Sequence, residues 1–239
     1  MRKSNTEIYL NTLYTCLQNP CTANSHKISY ELLGERIRFN PREHIKGVSE
    51  EYIKHELEWY DSQDRCIKGH AGIENNKVWQ SCATEHGIVN SNYGWCIYSH
   101  QNGDQFEHAL REIVNDRSTK QACMYYTRPT IHTEYDDGIN AKYDMICTCY
   151  TSSLLRDGKL EHHVHMRSND IWFGLRNDLA WQQEVQKRLV ARLNEGGVKC
   201  EEGDIVWFAD SLHLYERNVE DVKQYIADME EPISLDIKS

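Results

Sequence analysis

The sequence predicts an α+β fold, because helical and strand-like runs follow one another without the regular strand–helix–strand rhythm of a doubly wound sheet. Three observations carry that expectation: helix-period apolar spacing in three segments, β-prone runs between them, and one tight hairpin signal. The first helix is predicted over Glu50 to Tyr60, where Tyr52, Ile53, Leu57 and Tyr60 share a face. The second runs from Asp104 to Asn115, with Phe106, Ala109, Leu110, Ile113 and Val114 at helical spacing. Strand-like runs follow at Ala122–Thr127, Tyr143–Leu155 and Lys159–Met166, and Arg156-Asp157-Gly158-Lys159 joins the last two as a hairpin turn. A third helix is predicted over Asp178 to Asn194, facing inward through Leu179, Val185, Leu189, Val190 and Leu193. Gly196-Gly197 ends it by tolerating positive φ. Asp204–Ala209 completes the β-prone set.

A chain of 239 residues with four prolines, no repeat and no Gly/Ser-rich linker is expected to form one domain over residues 1–239. Hydrophobic residues make up 39% and charged ones 27%, the balance of a soluble globular protein. No apolar run approaches the roughly 18 residues a spanning helix needs. The start, Met1-Arg2-Lys3-Ser4-Asn5-Thr6-Glu7, has no apolar stretch behind its basic residues and is not expected to be a signal peptide. A net charge of −10 disfavours binding to a nucleic-acid polymer, whose affinity comes from cation contacts. A single nucleotide remains compatible with it, since one arginine cluster outweighs a diffuse field at contact distance. The nine cysteines are scattered and none forms a Cys-x-x-Cys pair, the pattern of reduced thiols in a cytosol-like compartment.

Chemistry concentrates in three places. Cys147 lies in a strand-like run, and simple alternation puts Cys147 and Cys149 on the same face, so local pattern does not choose between them as nucleophile. A nucleophilic thiol needs a nearby positive charge, and Arg167 is the candidate. The run from Arg167 to Asp178 joins a planar fork suited to phosphate with Ser168 and two acids. Downstream lies a third polar cluster, His213-Leu214-Tyr215. His162, His163 and His165 could suggest a metal, but alternation lets at most two converge, and no metal site is expected.

These pieces, together with Glu51 to Tyr60, Asn90-Ser91-Asn92-Tyr93-Gly94-Trp95, Tyr126-Thr127-Arg128-Pro129 and Ser211-Leu212-His213-Leu214-Tyr215, resemble the thymidylate synthase superfamily. Within it the chain is most similar to the deoxycytidylate 5-hydroxymethylases of T-even-like bacteriophages. The landmarks span about residues 50 to 217, while the first 50 residues and the last 20 match poorly. The resemblance implies a mixed sheet packed by helices and a sheet-to-sheet homodimer. It implies that Cys147 adds to C6 of a pyrimidine nucleotide, making C5 a carbon nucleophile toward 5,10-methylenetetrahydrofolate. Arg167 and Ser168 would hold the 5′-phosphate, and His213 with Tyr215 the sugar 3′-hydroxyl. Glu56 would order the active-site water and Tyr93 would serve proton transfer at C5. Asp170, Trp79 and Gly174 would lie along the folate site.

Asp178 decides the base. Where relatives that use uracil carry an amide, a carboxylate accepts from the 4-amino group of cytosine, and in protonated form it can also donate to N3. Against uracil the ionised group would face O4, acceptor against acceptor, and such a site can discriminate by about 10⁴-fold. The plainer alternative is a helix-start aspartate serving as an N-cap.

Two departures stand out. Where the superfamily's second phosphate contact, a Ser-Arg-Arg from the other subunit, is expected, this chain has Thr119-Lys120-Gln121. Either Arg117 makes up the missing cation or Lys120 approaches the sugar, which leaves a ribonucleotide substrate open. The tail from Glu230 to Ser239 is unlike the synthase's closing C-terminus. A wetter site favours water over hydride as the last nucleophile, hence hydroxymethyl over methyl. The resulting expectation is a cytoplasmic enzyme of phage-type DNA modification that converts dCMP to its 5-hydroxymethyl form. A CMP hydroxymethylase, a methylating relative and an inactive nucleotide-binding homologue are the alternatives.

Overall fold

The computed structural model describes residues 2–22, 27–136 and 144–230. One mixed sheet organises the chain, ordered β1 (Ile28–Phe39), β6 (Glu201–Tyr215), β4 (Lys159–Met166), β3 (Thr148–Arg156) and β2 (Cys123–Tyr125). The short β5 (Asn169–Asp170) pairs in parallel with β6 off that path. β4 and β6 run parallel while the remaining pairs along the path are antiparallel, so the sheet is mixed, as the sequence predicts. The hairpin between β3 and β4 turns at Asp157 (φ 50°) and Gly158 (φ 75°), two successive left-handed residues that suit the strand twist.

The helices are α1 (Asn5–Leu17), α2 (Glu50–Ser62), α3 (Lys77–Cys82), α4 (Tyr93–Tyr98), α5 (Gln105–Asn115), α6 (Ile131–Asp136), α7 (Gly174–Glu195) and α8 (Val219–Glu230). Ser4 and Glu7 form a reciprocal capping box at the start of α1. Ser49 caps α2 by accepting from the Tyr52 N–H. α7 is the central helix. Its lower turns bury Leu175 and Leu179 against Val164, Ile171 and Trp207, and its upper turns bury Trp181, Val185 and Leu189 in a second cluster with Trp59, Tyr60 and Met124.

Four expectations change. The third helix begins at Gly174, one turn before Asp178, so Asp178 sits inside the helix and is no N-cap. The strand expected from Tyr143 begins at Thr148, and Tyr143 itself lies outside the described residues. The last strand extends well beyond Asp204–Ala209 in both directions. The register of β3 against β4 shifts between Thr148 and Tyr150, a bulge that breaks the alternation from which Cys147 and Cys149 were placed on one face.

Candidate active site

The loop that carries Cys147 is anchored by a buried acid. Asp144 accepts from the backbone N–H groups of Asn90 (2.5 Å) and Ser91 (2.7 Å) and from the Ser91 hydroxyl (2.6 Å). Three residues later Cys147 precedes β3, and its carbonyl accepts the Arg167 N–H at 3.0 Å across the β3–β4 boundary. The Arg167 guanidinium then folds back: Nε donates to the Ile146 carbonyl (3.0 Å), Nη2 donates to the Met145 carbonyl, and Nη2 also lies 3.7 Å from Cys147 Sγ. The fold thus delivers the cation that a nucleophilic thiol requires. Burial nevertheless wins in the ligand-free protein, pushing the thiol up to about 12, with Arg167 pulling down against it. Cys149 has other surroundings, with Asp210 rather than Asp178 among its neighbouring charges.

Asp178 projects from the second turn of α7. Its Oδ2 accepts from Asn169 Nδ2 at 2.9 Å, and Asn169 Oδ1 accepts from Trp207 Nε1 at 3.2 Å. Burial, then the neighbouring Glu56 charge, hold the Asp178 carboxyl well above the usual carboxylate range, while the Asn169 bond opposes them. Glu56, on α2, is almost fully buried, and burial pushes it up to about 7, against the lowering effect of its bond from Tyr52. That bond belongs to a chain: Trp79 Nε1 donates to the Tyr52 hydroxyl (2.9 Å), which donates to Glu56 Oε1 (2.8 Å). Tyr93 opens α4, stacked on Tyr60 at 5.2 Å and edge-on to Tyr126 at 5.2 Å. Gly94 permits this placement, because a Cβ there would collide with the Tyr60 carbonyl oxygen. Burial raises the Tyr93 phenol, and Asp178 and then Cys147 push it further the same way.

The parallel pairing of β5 with β6 sets Asp170 opposite His213. Buried His213 is bonded to Ser211 Oγ through Nδ1 (3.2 Å) and packs edge-on to Tyr215 at 4.9 Å. Asp170 is oriented by the Trp172 N–H (2.9 Å) and is raised by burial. Ser168 is part-exposed in the bend between β4 and β5. Gly174 opens α7 directly over the Asn169–Asp178 bond: a Cβ would lie 3.1 Å from Asn169 Nδ2 and 3.5 Å from Asp178 Oδ2.

The fold therefore links Cys147, Arg167, Asp178, Glu56, Tyr93, Asp170 and Tyr215 in one chain of pairwise electrostatic interactions centred on Cys147 and Asp178. Trp79 joins through Tyr52. Lys120 does not join: it is exposed between α5 and β2, where its carbonyl accepts from Cys123 Sγ at 3.9 Å. The histidines divide as alternation predicts, with His162 buried between Ser153 (2.9 Å) and Gln182 (3.0 Å). Among the described residues no cluster suits a metal ion.

Sequence reasoning missed Tyr52, Asn169 and Trp207, and also Lys27 and Arg217. The last two line a cavity of about 330 Å³ with Tyr215 and Glu216, and the Arg217 guanidinium lies 4.3 Å over the Tyr215 ring. Tyr52 had a local signal, its i, i+4 spacing from Glu56. Lys27 and Arg217 had none, being brought together only by the pairing of β1 with β6.

A thiol beside arginine, in a site with two acids whose carboxyls burial raises, defines a nucleophilic transferase-type site. The family model of thymidylate synthase matches residues 7–238, and the chain belongs to that family. It is 41% identical over 175 residues, 72% of its length and 70% of theirs, to the proteins named deoxycytidylate 5-hydroxymethyltransferase from Enterobacteria phages T4, T2 and T6. Among solved structures, thermostable thymidylate synthase A from Bacillus subtilis superposes with a TM-score of 0.72 at 18% identity, covering 94% of this chain and 84% of its own. That likeness supports the α+β fold.

Proposed function

We propose that this protein transfers the one-carbon unit of 5,10-methylenetetrahydrofolate to C5 of dCMP with addition of water, giving 5-hydroxymethyl-dCMP. The observation that carries this reading is Asp178: an acid whose carboxyl burial raises well above the usual range, oriented by Asn169, and close enough to act electrostatically on Cys147. A neutral carboxyl presents one donor and one acceptor, the complement of the N3 and 4-amino edge of cytosine. The 41% identity to phage deoxycytidylate 5-hydroxymethyltransferases supports the same substrate.

As Cys147 Sγ bonds to C6 its thiol proton leaves to active-site water, and electron density moves through C5 to N3, where the Asp178 proton meets it. Arg167 and Ser168 bind the 5′-phosphate, with Lys27 and Arg217 on the side of Tyr215. His213 and Tyr215 bind the sugar hydroxyl. Glu56, titrating near neutrality, holds or moves a proton through water at the base, and the Tyr93 phenol relays the C5 proton, passing its own to water as it receives that one. The folate supplies a carbon at the oxidation level of formaldehyde. Its ring fits the residues present, since Asp170 offers a part-exposed, oriented carboxyl to ring N–H groups, Gly174 lies beside that carboxyl, and Trp79 would be reached through Tyr52 and Glu56.

Residues 1–239 act in this reading as one catalytic domain. The outer sheet face carries a Tyr150–His165–Phe208 stack with centroid spacings of 4.2 and 4.5 Å, alongside exposed Leu33 and Tyr125. Such a face supports a sheet-to-sheet homodimer, in which Lys120 would reach the partner's phosphate. Among the described residues no helix is long and apolar enough to cross a membrane, and all nine cysteines are free, in keeping with action in a reducing cytoplasm.

The test offers dCMP, CMP and dUMP together with methylenetetrahydrofolate and weighs the products by mass spectrometry. A hydroxymethyl gain on dCMP is expected. Preference for CMP would reassign Lys120 to the sugar, and a methyl gain would replace water by hydride. No reaction, with nucleotide still bound, would leave a binding protein.

A further inference from the structure

The bond from Asn169 to Asp178 decides more than where a side chain rests. An indole N–H can only donate, so Trp207 Nε1 fixes the oxygen of the Asn169 amide toward itself at 3.2 Å. The amide nitrogen is then obliged to face Asp178, where it donates to Oδ2 at 2.9 Å. Both residues are buried, and Trp207 stands in β6 between β1 and β4, opposite Ile37 and Val164, so the amide has no room to reverse. Gly174 leaves the bond uncompressed from the helix side. An oxygen that faces a fixed donor is the poorer place for a proton.

We propose that Asn169, locked by Trp207, is a positioning residue for base selectivity: it commits Oδ2 of Asp178 to accepting and leaves the carboxyl proton on Oδ1. The acid then meets the pyrimidine in one tautomer, an acceptor beside a donor in fixed order. Cytosine, with an amino donor beside a ring-nitrogen acceptor, matches that order, and uracil, with acceptor and donor exchanged, opposes it. This rests on Asp178 as the base reader. The titratable groups around that carboxyl are Glu56, Tyr52 and Tyr60 from α2, Tyr93 from α4, Cys147 before β3 and Asp170 from β5.

Calorimetric titration of dCMP and dUMP between pH 5 and pH 9, on the wild type, Asn169→Ala and Trp207→Phe, tests this, with thermal melting to establish that each variant is folded. The wild type should prefer dCMP, with affinity falling as pH rises through the titration of Asp178. Asn169→Ala should lower the dCMP-to-dUMP preference by about tenfold, the worth of one hydrogen bond to a charged or poised group. It should also move the pH midpoint of dCMP binding upward, because the lost donor favoured the ionised form. Trp207→Phe should shift both quantities the same way and by less. A purely structural role would weaken both nucleotides alike and leave the midpoint in place, and that result in either folded variant overturns the proposal. A wild type without preference for dCMP overturns the underlying reading of Asp178 itself.

Discussion

Replacing Glu56 by glutamine removes a titrating proton from the buried end of α2 while keeping an oxygen for the Tyr52 hydroxyl, which now donates to Oε1 at 2.8 Å. Burial raises this carboxyl from 4.5 to about 7, so the folded protein prefers it neutral. Below pH 4.5 the acid is protonated in both folded and unfolded chains and costs nothing. As pH rises toward 7 the unfolded chain releases the proton and the folded chain does not, so wild-type stability falls across that window and levels off above it. At about 1.4 kcal/mol per pH unit of displacement, the full penalty is roughly 3 kcal/mol. Glutamine carries no such penalty. Urea unfolding of the two proteins at pH 4.5 and pH 8 should therefore show Glu56→Gln gaining stability relative to the wild type by up to about 3 kcal/mol between those conditions. The same variant should lose turnover, since a neutral amide cannot move a proton. A stability difference that does not change with pH would refute the reasoning, because Glu56 would then be as well solvated when folded as when unfolded.

Three other outcomes follow from the site. Cys147→Ser should abolish turnover and Cys149→Ser should leave it within a few-fold, read by steady-state kinetics; the reverse pattern would move the nucleophile across the bulge. With its thiol raised to about 12, Cys147 should be alkylated by iodoacetamide at a rate that keeps climbing from pH 7 to pH 10, whereas a plateau would reveal a stable resting thiolate. Asp178→Asn should move preference toward dUMP in product competition, because an amide can donate to O4 and accept from N3–H, and unchanged cytosine selectivity would exclude Asp178 as the base reader.

The long elements were legible because burial imposes a period on them. α2, α5 and α7 present apolar residues at helical spacing, and the β3–β4 hairpin advertises its turn through Asp157-Gly158. β1 was not legible: Glu31, Glu35, Arg36 and Arg38 crowd it, and Gly34 at φ 70° interrupts the alternation, so its identity as a strand comes from pairing with β6. α3 and α4, at six residues each, are too short to show a period. In the site, Cys147, Arg167, Asp178 and His213 were found through a motif. The preference for Cys147 over Cys149 was not available from alternation, since a bulge intervenes. Asn169 sat inside the motif without a role, because its meaning depends on Trp207, 38 positions further along the chain.

The physical problem this cleft addresses is charge. Cys147, Glu56 and Asp178 all sit where burial favours their neutral forms, and Arg167 spends Nε and Nη2 on the carbonyls of Ile146 and Met145. A dianionic phosphate arriving at Arg167 would weaken that cation's hold on any thiolate, so free thiolate cannot be the accumulated state from which attack begins. Attack on C6 instead needs a place for the electron density that reaches N3, in surroundings where an uncompensated anion is costly. A carboxyl that has kept its proton, on the oxygen that Asn169 does not hold, offers that place. In the proposed reaction, the burial that raises the thiol is also the burial that would keep Asp178 able to donate, and the two protons would move together.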